Sequence, residues 1–457
     1  MAAKTLCREL EGLLGLDRVL PGDTAAYLCD ATEGRGLRGR ADAIALPETT
    51  EQVAAVLRWC DANAVPVVPR GGGTGFTAGA VPMDGGVVLS LERLDRVRSF
   101  DPLLWRACFE AGVRTASVRR LARESGLFFP PDPGAAEQSH IGGNVATNAG
   151  GPHAFKYGVT GAWVTGIEAA VMPGEVVSVG GSVRKDVAGY DLRALMIGSE
   201  GTLGVITAVW LRLLPAPEAF LPVASFYEGA EAGCAAIERV LGNGIPAAAL
   251  EFLDAAALAA AGPSFPGELP PGAGFLVIAE ADGSAAEASR LRDDLVEVLA
   301  EDSLGVVSPE DPAEVGALWR WRDGVSIAVT AQLGGKVSED IVVPLDRLAE
   351  AVAETIAIGE RHGLPACSWG HAGDGNLHST FMVDPRDEET IQRAEEAAGE
   401  LFALAVRLGG SVSGEHGIGW VKRGRLALQW TPAALELHER IKQAFDPKNL
   451  LNPGKKT

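Results

Sequence analysis

Two histidines, His371 and His378, stand seven positions apart around Ala372-Gly373-Asp374-Gly375-Asn376-Leu377, in a chain with seven histidines in all. A glycine-interrupted turn of that length lets a strand fold back on itself, so both imidazoles can reach one side of a hairpin. Glu415 and His416 follow inside Ser413-Gly414-Glu415-His416-Gly417-Ile418-Gly419. Two imidazoles and a carboxylate form a donor set of borderline hardness, which Zn²⁺ or Mn²⁺ accepts while positions stay open for substrate. Ordinary hydrogen-bonded histidines are the other reading of a lone His-x6-His. The added Glu415-His416 pair favours a metal.

A second kind of chemistry is written in glycine. In Arg70-Gly71-Gly72-Gly73-Thr74-Gly75-Phe76-Thr77-Ala78-Gly79, three successive glycines let backbone N–H groups approach an anion without side-chain obstruction. No Gly-Lys-Ser/Thr ending follows, which excludes a Walker loop, and Ala80-Val81-Pro82 reads as loop where a Rossmann fingerprint needs a helix. A flexible surface turn is the bland reading of one glycine triplet. Two more glycine-dense stretches argue against it, Pro130 to Gly151 and Gly198-Ser199-Glu200-Gly201-Thr202-Leu203-Gly204. The first of these carries Asn144, Thr147 and Asn148 with almost no charge, an edge suited to a flat, uncharged heteroaromatic ring.

These residues need elements to hold them. Thr50 to Ala64 carries a helical apolar stripe, and the β-branched run Val65 to Pro69 and the run Gly86 to Leu91 read as strands, so the glycine loop joins strand to strand. Pro215-Ala216-Pro217 marks the end of a first domain. Beyond it, helical patterns at Glu231 to Leu241 and Ala286 to Leu299 alternate with strand runs such as Phe275 to Ala279, which predicts an α+β domain with helices on one face of an antiparallel sheet. A last helix is expected over about Pro432 to Phe445. The expected division is 1–216, 217–425 and 426–457, within the two-domain range set by 457 residues.

Composition narrows the partners. With 60 acidic against 40 basic residues the net charge is −20, which repels nucleic acid and anionic lipid. Glu9 and Glu11 interrupt the start where a secretory signal needs an apolar run, and no later stretch is long and apolar enough to span a bilayer. The six cysteines are scattered, with no CxxC pair, which fits a reducing compartment and excludes an iron–sulfur motif. A cytoplasmic protein is expected.

Pro69 to Gly75, His140-Ile141-Gly142-Gly143-Asn144 through Gly151, and Gly189-Tyr190-Asp191-Leu192 through Gly204 resemble the FAD-binding domain of the vanillyl-alcohol oxidase/p-cresol methylhydroxylase (PCMH) superfamily, in order over about residues 40 to 215. The resemblance implies a PCMH-type domain of two α/β subdomains, followed by a ferredoxin-like α+β substrate domain and a C-terminal segment that returns to the FAD domain. Carried over by position, FAD contacts fall on Pro69, Arg70, Gly71, Gly72, Gly73, Thr74, Gly75, Pro131, Gly142, Gly143, Asn144, Asn148, Gly150, Glu200, Gly201, Val205, Ile206 and Asn452. Some members bind FAD covalently through a histidine directly after the glycines; Thr74 stands there, so dissociable FAD is implied. The hairpin at Met172-Pro173-Gly174-Glu175 is shorter than the family's.

His371 to His378, Ser413 to Gly419 and the ending Ala444-Phe445-Asp446-Pro447 through Lys455 resemble the FAD-linked 2-hydroxy acid dehydrogenases, the family of D-lactate, D-2-hydroxyglutarate and glycolate enzymes. The resemblance makes His371, His378 and Glu415 the ligands of a divalent metal, Zn or Mn, and His416 the acceptor of the hydroxyl proton. Arg322, in Trp319-Arg320-Trp321-Arg322, and Lys336 become the clamp on the substrate carboxylate, with Asp323 through Ala328 continuing the helix of Arg322. A solvated surface lysine is the other reading of Lys336. Thr380, where glycolate and lactate enzymes carry threonine, points to a short substrate. Electrons must then leave to an external acceptor: a quinone, a cytochrome, an electron-transfer flavoprotein or an iron–sulfur partner subunit, with oxygen disfavoured. A homodimer is compatible with the sequence. Two other readings remain, a flavin subunit inactive alone and a redox-neutral transferase of the alkyl-dihydroxyacetone-phosphate synthase type.

Overall fold

The hydroxyl of Thr49 accepts the N–H of Gln52 at 3.2 Å and opens the helix Thr50–Asn63, which turns Val53, Val56, Leu57 and Cys60 into a core. The computed structural model describes residues 3–457; Met1 and Ala2, at the head of the first expected domain, lie outside the described residues. The chain separates into two units. The first comprises 1–150, 159–216 and 415–457, and the second 151–158 and 217–414. The seam at Ala216 and Pro217 sits at the expected proline pair. The returning segment begins at Glu415, where the sequence reading began it at 426, and eight residues from Gly151 to Gly158 belong with the second unit.

In the first unit, the strands Val19–Pro21, Ala43–Ala45, Val87–Ser90 and Val67–Arg70 form a four-stranded sheet in that order, parallel over its last three. Its core takes Leu6, Leu10 and Leu14 from the first helix and Leu450 and Leu451 from the returning segment. The N–H of Asn452 donates to the carbonyl of Val67 at 2.7 Å, so the chain end is tied to the strand that feeds the glycine loop. A second, five-stranded antiparallel sheet runs Val97–Asp101, Arg106–Glu110, Val205–Arg212, Val164–Val171, Glu175–Gly180. These are the two subdomains expected of a PCMH-type FAD-binding fold.

The second unit is built on a seven-stranded antiparallel sheet in the order Gly305–Val307, Ala219–Tyr227, Phe275–Gly283, Ala249–Asp254, Ala366–His371, Asn376–Val383, Gly335–Val342. Helices were expected on one face; they cover both. Phe226, Leu253, Ile278 and Trp369 pack on one side with Leu318, Trp321, Val325 and Val329 from the helices Pro312–Asp323 and Val325–Leu333. On the other side Val337, Ile358, Phe381, Ala397 and Leu401 form a separate core. The continuous apolar runs of the central strands record this, since a strand buried on both faces loses its alternation. The helix carrying Arg322 does not run on through Ala328 as expected. It ends at Asp323, and Gly324 caps it before a second helix starts at Val325.

Candidate active site

The hairpin of Ala366–His371 and Asn376–Val383 sets the two histidines. Trp369 lies opposite His378 in the register, and His371, two residues on, shares its face. Their ring centroids are 5.4 Å apart and nearly perpendicular, His371 is 6 % exposed and His378 9 %. The neighbouring strand places Glu251 opposite His371, and Nδ1 of His371 lies 2.6 Å from Oε1 of this fully buried carboxylate. Its other oxygen pairs with the guanidinium of Arg322. Burial pushes the Glu251 carboxyl up, but Arg322 and His371 outweigh that and hold it below the usual carboxylate range.

Lys336 reaches the same face. It stands opposite Met382, its Nζ donates to the carbonyl of Ser326 at 2.9 Å, and the ammonium lies 5.1 Å from the Trp369 ring centre. Burial pushes its pKa down to about 8. Thr380 sits along the strand between His378 and Met382, fully buried, its hydroxyl 2.8 Å from that of Ser338. The excursion Gly151–Gly158 docks on this face as well. His153 Nε2 is 2.7 Å from Glu280, to which the Trp319 indole N–H also donates at 2.6 Å, while Lys156 and Tyr157 both bind Asp282. Asp340, opposite His378, takes the Asn376 amide at 2.7 Å and the N–H of Gly414 at 2.9 Å, fixing the residue that precedes Glu415.

In the first unit the glycine stretches come together. A Cβ on Gly72 would fall 2.1 Å from the carbonyl oxygen of Gln138, so only glycine permits this approach. Gly71 and Gly143 approach each other: a Cβ on Gly71 would lie 3.5 Å from the Cα of Gly143, and one on Gly143 4.0 Å from the Cα of Gly71. Among the described residues the N–H groups of Gly72, Gly73 and Thr74 find no acceptor, and the buried Nδ1 of His140 beside them has no partner. Unpaired backbone donors in a half-buried glycine loop fit a diphosphate and a ring edge.

Other expected contacts have their side chains engaged within the protein. Arg70 donates to the carbonyls of Cys29 and Ala26 at 2.7 and 2.9 Å, so its charge secures that segment. Asn144 donates to Thr115 at 2.6 Å, and Asn148 accepts the N–H of Gly161 at 2.8 Å. Glu200 accepts from the N–H groups of Ile418 and Gly419 at 2.9 and 2.6 Å and from Lys456 at 3.0 Å. Asn452 donates to the carbonyls of Glu200 and Gly79 at 2.7 and 3.0 Å. Pro131 and Gly150 are buried, Gly201 rests on the ring of Pro69, and Val205 and Ile206 begin a buried strand opposite Ala170 and Ala169. The same unit holds His416: its ring lies 4.7 Å from that of Phe76, just past the glycines, and its carbonyl accepts from Thr77 at 3.2 Å. The Glu415 carboxylate passes so close to Gly150 that a Cβ there would be 2.7 Å away.

Sequence reasoning missed Glu251, Asp340, Glu280 and Asp282. The available signal was a carboxylate inside an apolar strand, as in Ala249-Leu250-Glu251-Phe252-Leu253, which must be paired to be buried.

A family model for the C-terminal domain of FAD-linked oxidases matches residues 216–456, and one for an FAD-binding domain matches 41–180. The chain is 35 % identical to the glycolate oxidase subunit GlcD of Bacillus subtilis, over 91 % of this chain and 88 % of that one. It is 37 % identical to the D-2-hydroxyglutarate dehydrogenase of Xanthomonas citri pv. viticola, over 90 % and 88 %. With p-cresol methylhydroxylase in its substrate-bound crystal structure it shares 18 % identity at a TM-score of 0.80, over 99 % of this chain and 96 % of that one, a likeness of fold. The chain belongs to the FAD-linked oxidase family and is an FAD-dependent oxidoreductase on the PCMH-type fold.

Proposed function

We propose that this enzyme oxidises a small D-2-hydroxy acid, D-lactate or glycolate ahead of D-2-hydroxyglutarate, to the 2-oxo acid. One observation carries the reading: Arg322, Lys336 and the pair His371/His378 converge on one face of one sheet. Two cations suit a carboxylate, and two imidazoles suit a metal beside its neighbouring hydroxyl. The relatives' names, glycolate oxidase subunit and D-2-hydroxyglutarate dehydrogenase, are those of 2-hydroxy acid enzymes.

His371, His378 and Glu415 would hold the cation. The donor set fits, since Glu251 engages Nδ1 of His371 and Glu415 directly follows the pinned Gly414. Gly71 to Gly75 and the segment from His140 to Asn148 would hold FAD, and Thr74 leaves it dissociable. When bound, FAD supplies the two-electron acceptor and zinc or manganese supplies Lewis acidity. Arg322 and Lys336 orient the substrate by its carboxylate, and His416 takes the hydroxyl proton. The C2 hydrogen departs as hydride, so with the hydroxyl proton two protons and two electrons leave in all and the 2-oxo acid remains.

The electrons pass on to an external acceptor: a quinone, a cytochrome, an electron-transfer flavoprotein or an iron–sulfur partner subunit. Among the described residues no helix is long and apolar enough to cross a membrane, and no disulfide links the six cysteines. The second fact supports a reducing, cytoplasmic setting. The word subunit in the Bacillus subtilis relative's name favours a second reading, a flavin subunit that turns over only within a complex.

The test is anaerobic addition of D-lactate, L-lactate, glycolate and D-2-hydroxyglutarate to the flavin-loaded protein. Bleaching of the flavin band by a short D-acid or glycolate supports the proposal; a band untouched by every acid sinks it.

Two further outcomes are expected. Because the Lys336 ammonium is protonated below about pH 8 and lost above it, kcat/KM should fall as pH rises through that value. A Lys336→Arg variant, which stays charged, should lose that alkaline limb in a pH–rate profile; an unchanged limb would assign it to another group. Replacing Thr380 by asparagine puts an amide between His378 and the Lys336 level of the face. The ratio of kcat/KM for D-2-hydroxyglutarate over D-lactate should rise about tenfold, one net hydrogen bond's worth, and a flat ratio would remove Thr380 from substrate selection.

A further inference from the structure

Glu251 is the least expected residue on the active face. It is fully buried in the strand Ala249–Asp254, between Leu250 and Phe252, which are also fully buried. An ionised carboxylate there is costly unless both its oxygens are compensated. They are, in different ways: Oε1 lies 2.6 Å from Nδ1 of His371, and Oε2 forms an ion pair with the Arg322 guanidinium without the alignment of a hydrogen bond. One side chain thus touches a proposed metal ligand and a proposed substrate clamp, and it comes from a strand 120 residues earlier in the chain.

A carboxylate already held by a guanidinium is an acceptor, so the His371 ring must place its proton on Nδ1 and donate it. In that tautomer Nε2 carries the lone pair, which is the state a metal ligand requires, and a charged acceptor behind the ring makes that nitrogen more basic. The same carboxylate limits the rotation of the Arg322 guanidinium, whose planar fork must face a substrate carboxylate squarely to bind it with two hydrogen bonds.

We infer that Glu251 is a positioning residue, a single buried carboxylate that sets the tautomer of His371 for metal binding and aims Arg322 at the substrate. It touches neither substrate nor metal. The inference rests on the proposed metal site. It adds that metal affinity and arginine orientation are coupled through one side chain, whereas Lys336, held by Ser326 and Trp369, stands outside that coupling.

A single Glu251→Gln change would strand a buried cation and endanger folding. Two double variants, both without the buried charges, avoid this: E251Q/R322Q, whose amide oxygen can still accept from Nδ1, and E251L/R322M, which cannot. Affinity for Zn²⁺ and for Mn²⁺ is measured by chelator competition on the full-length, FAD-loaded protein, alongside His371→Ala. Thermal melts establish that each variant is folded, and nitrogen-15 histidine spectra report the tautomer.

The expected result is metal binding by E251Q/R322Q within about threefold of the parent. Binding by E251L/R322M should be weaker than by E251Q/R322Q by about 10- to 100-fold, the usual effect of losing the partner behind a metal-bound imidazole. The Nδ1–H tautomer of His371 should vanish in E251L/R322M alone. Equal affinities in the two double variants, or an Nε2–H tautomer in the parent, would overturn the role of Glu251 even if His371→Ala loses the metal. Metal binding undiminished in His371→Ala would instead overturn the metal site, and the inference with it.

Discussion

Replacing His416 by alanine should slow reduction of the bound flavin by D-lactate or glycolate by about 10²- to 10⁴-fold, the range of a lost general base. The substrate dissociation constant should change less than about threefold, because the proposed affinity resides in Arg322 and Lys336. The position of His416 supports so selective an effect. Its carbonyl is held by the Thr77 hydroxyl and its ring lies against Phe76, so it belongs to the wall of the glycine loop. Anaerobic stopped-flow bleaching, with rate and binding read from the substrate dependence, separates the two quantities. Equal losses in rate and affinity would mean that His416 binds substrate and does not take its proton.

Removing the proposed metal should be the next most damaging change. Dialysis against a chelator, or replacement of His378 by alanine, should lower turnover by about 10³-fold or more, since Lewis-acid assistance contributes several kcal/mol. Added Zn²⁺ or Mn²⁺ should rescue the dialysed parent and leave the variant inactive. Flavin content should stay the same in both, because the glycine cradle lies in the first unit and His378 in the second. Turnover that survives chelation would remove the metal from the mechanism. Flavin lost together with the metal would mean that His378 supports the fold as a whole.

The two kinds of residue in this site differ in how readable they are. The glycine triplet is legible because a close backbone approach excludes every other residue, as at Gly72. His371 and His378 are legible because a hairpin is a local object, and spacing with strand periodicity places both rings on one face. The helices Thr50–Asn63 and Pro432–Phe445 follow from apolar period and capping, again within one turn or two of chain.

What escaped depends on pairings between distant segments. The break at Gly324 and the second layer of helices follow from packing on both faces of the sheet. The return at Glu415 follows from Asp340 and Asn376, and the excursion Gly151–Gly158 from the buried acids Glu280 and Asp282. The hold of the Glu200 carboxylate on Ile418, Gly419 and Lys456 is likewise a pairing between distant segments. By itself the amino-acid sequence determined the FAD-dependent oxidoreductase class and set two histidines on one hairpin face, since backbone-demanding glycines and strand periodicity act through local geometry. Tertiary structure decided how that chemistry is aimed. The register that sets Glu251 opposite His371 is a long-range choice made by the whole sheet, and no local pattern encodes it.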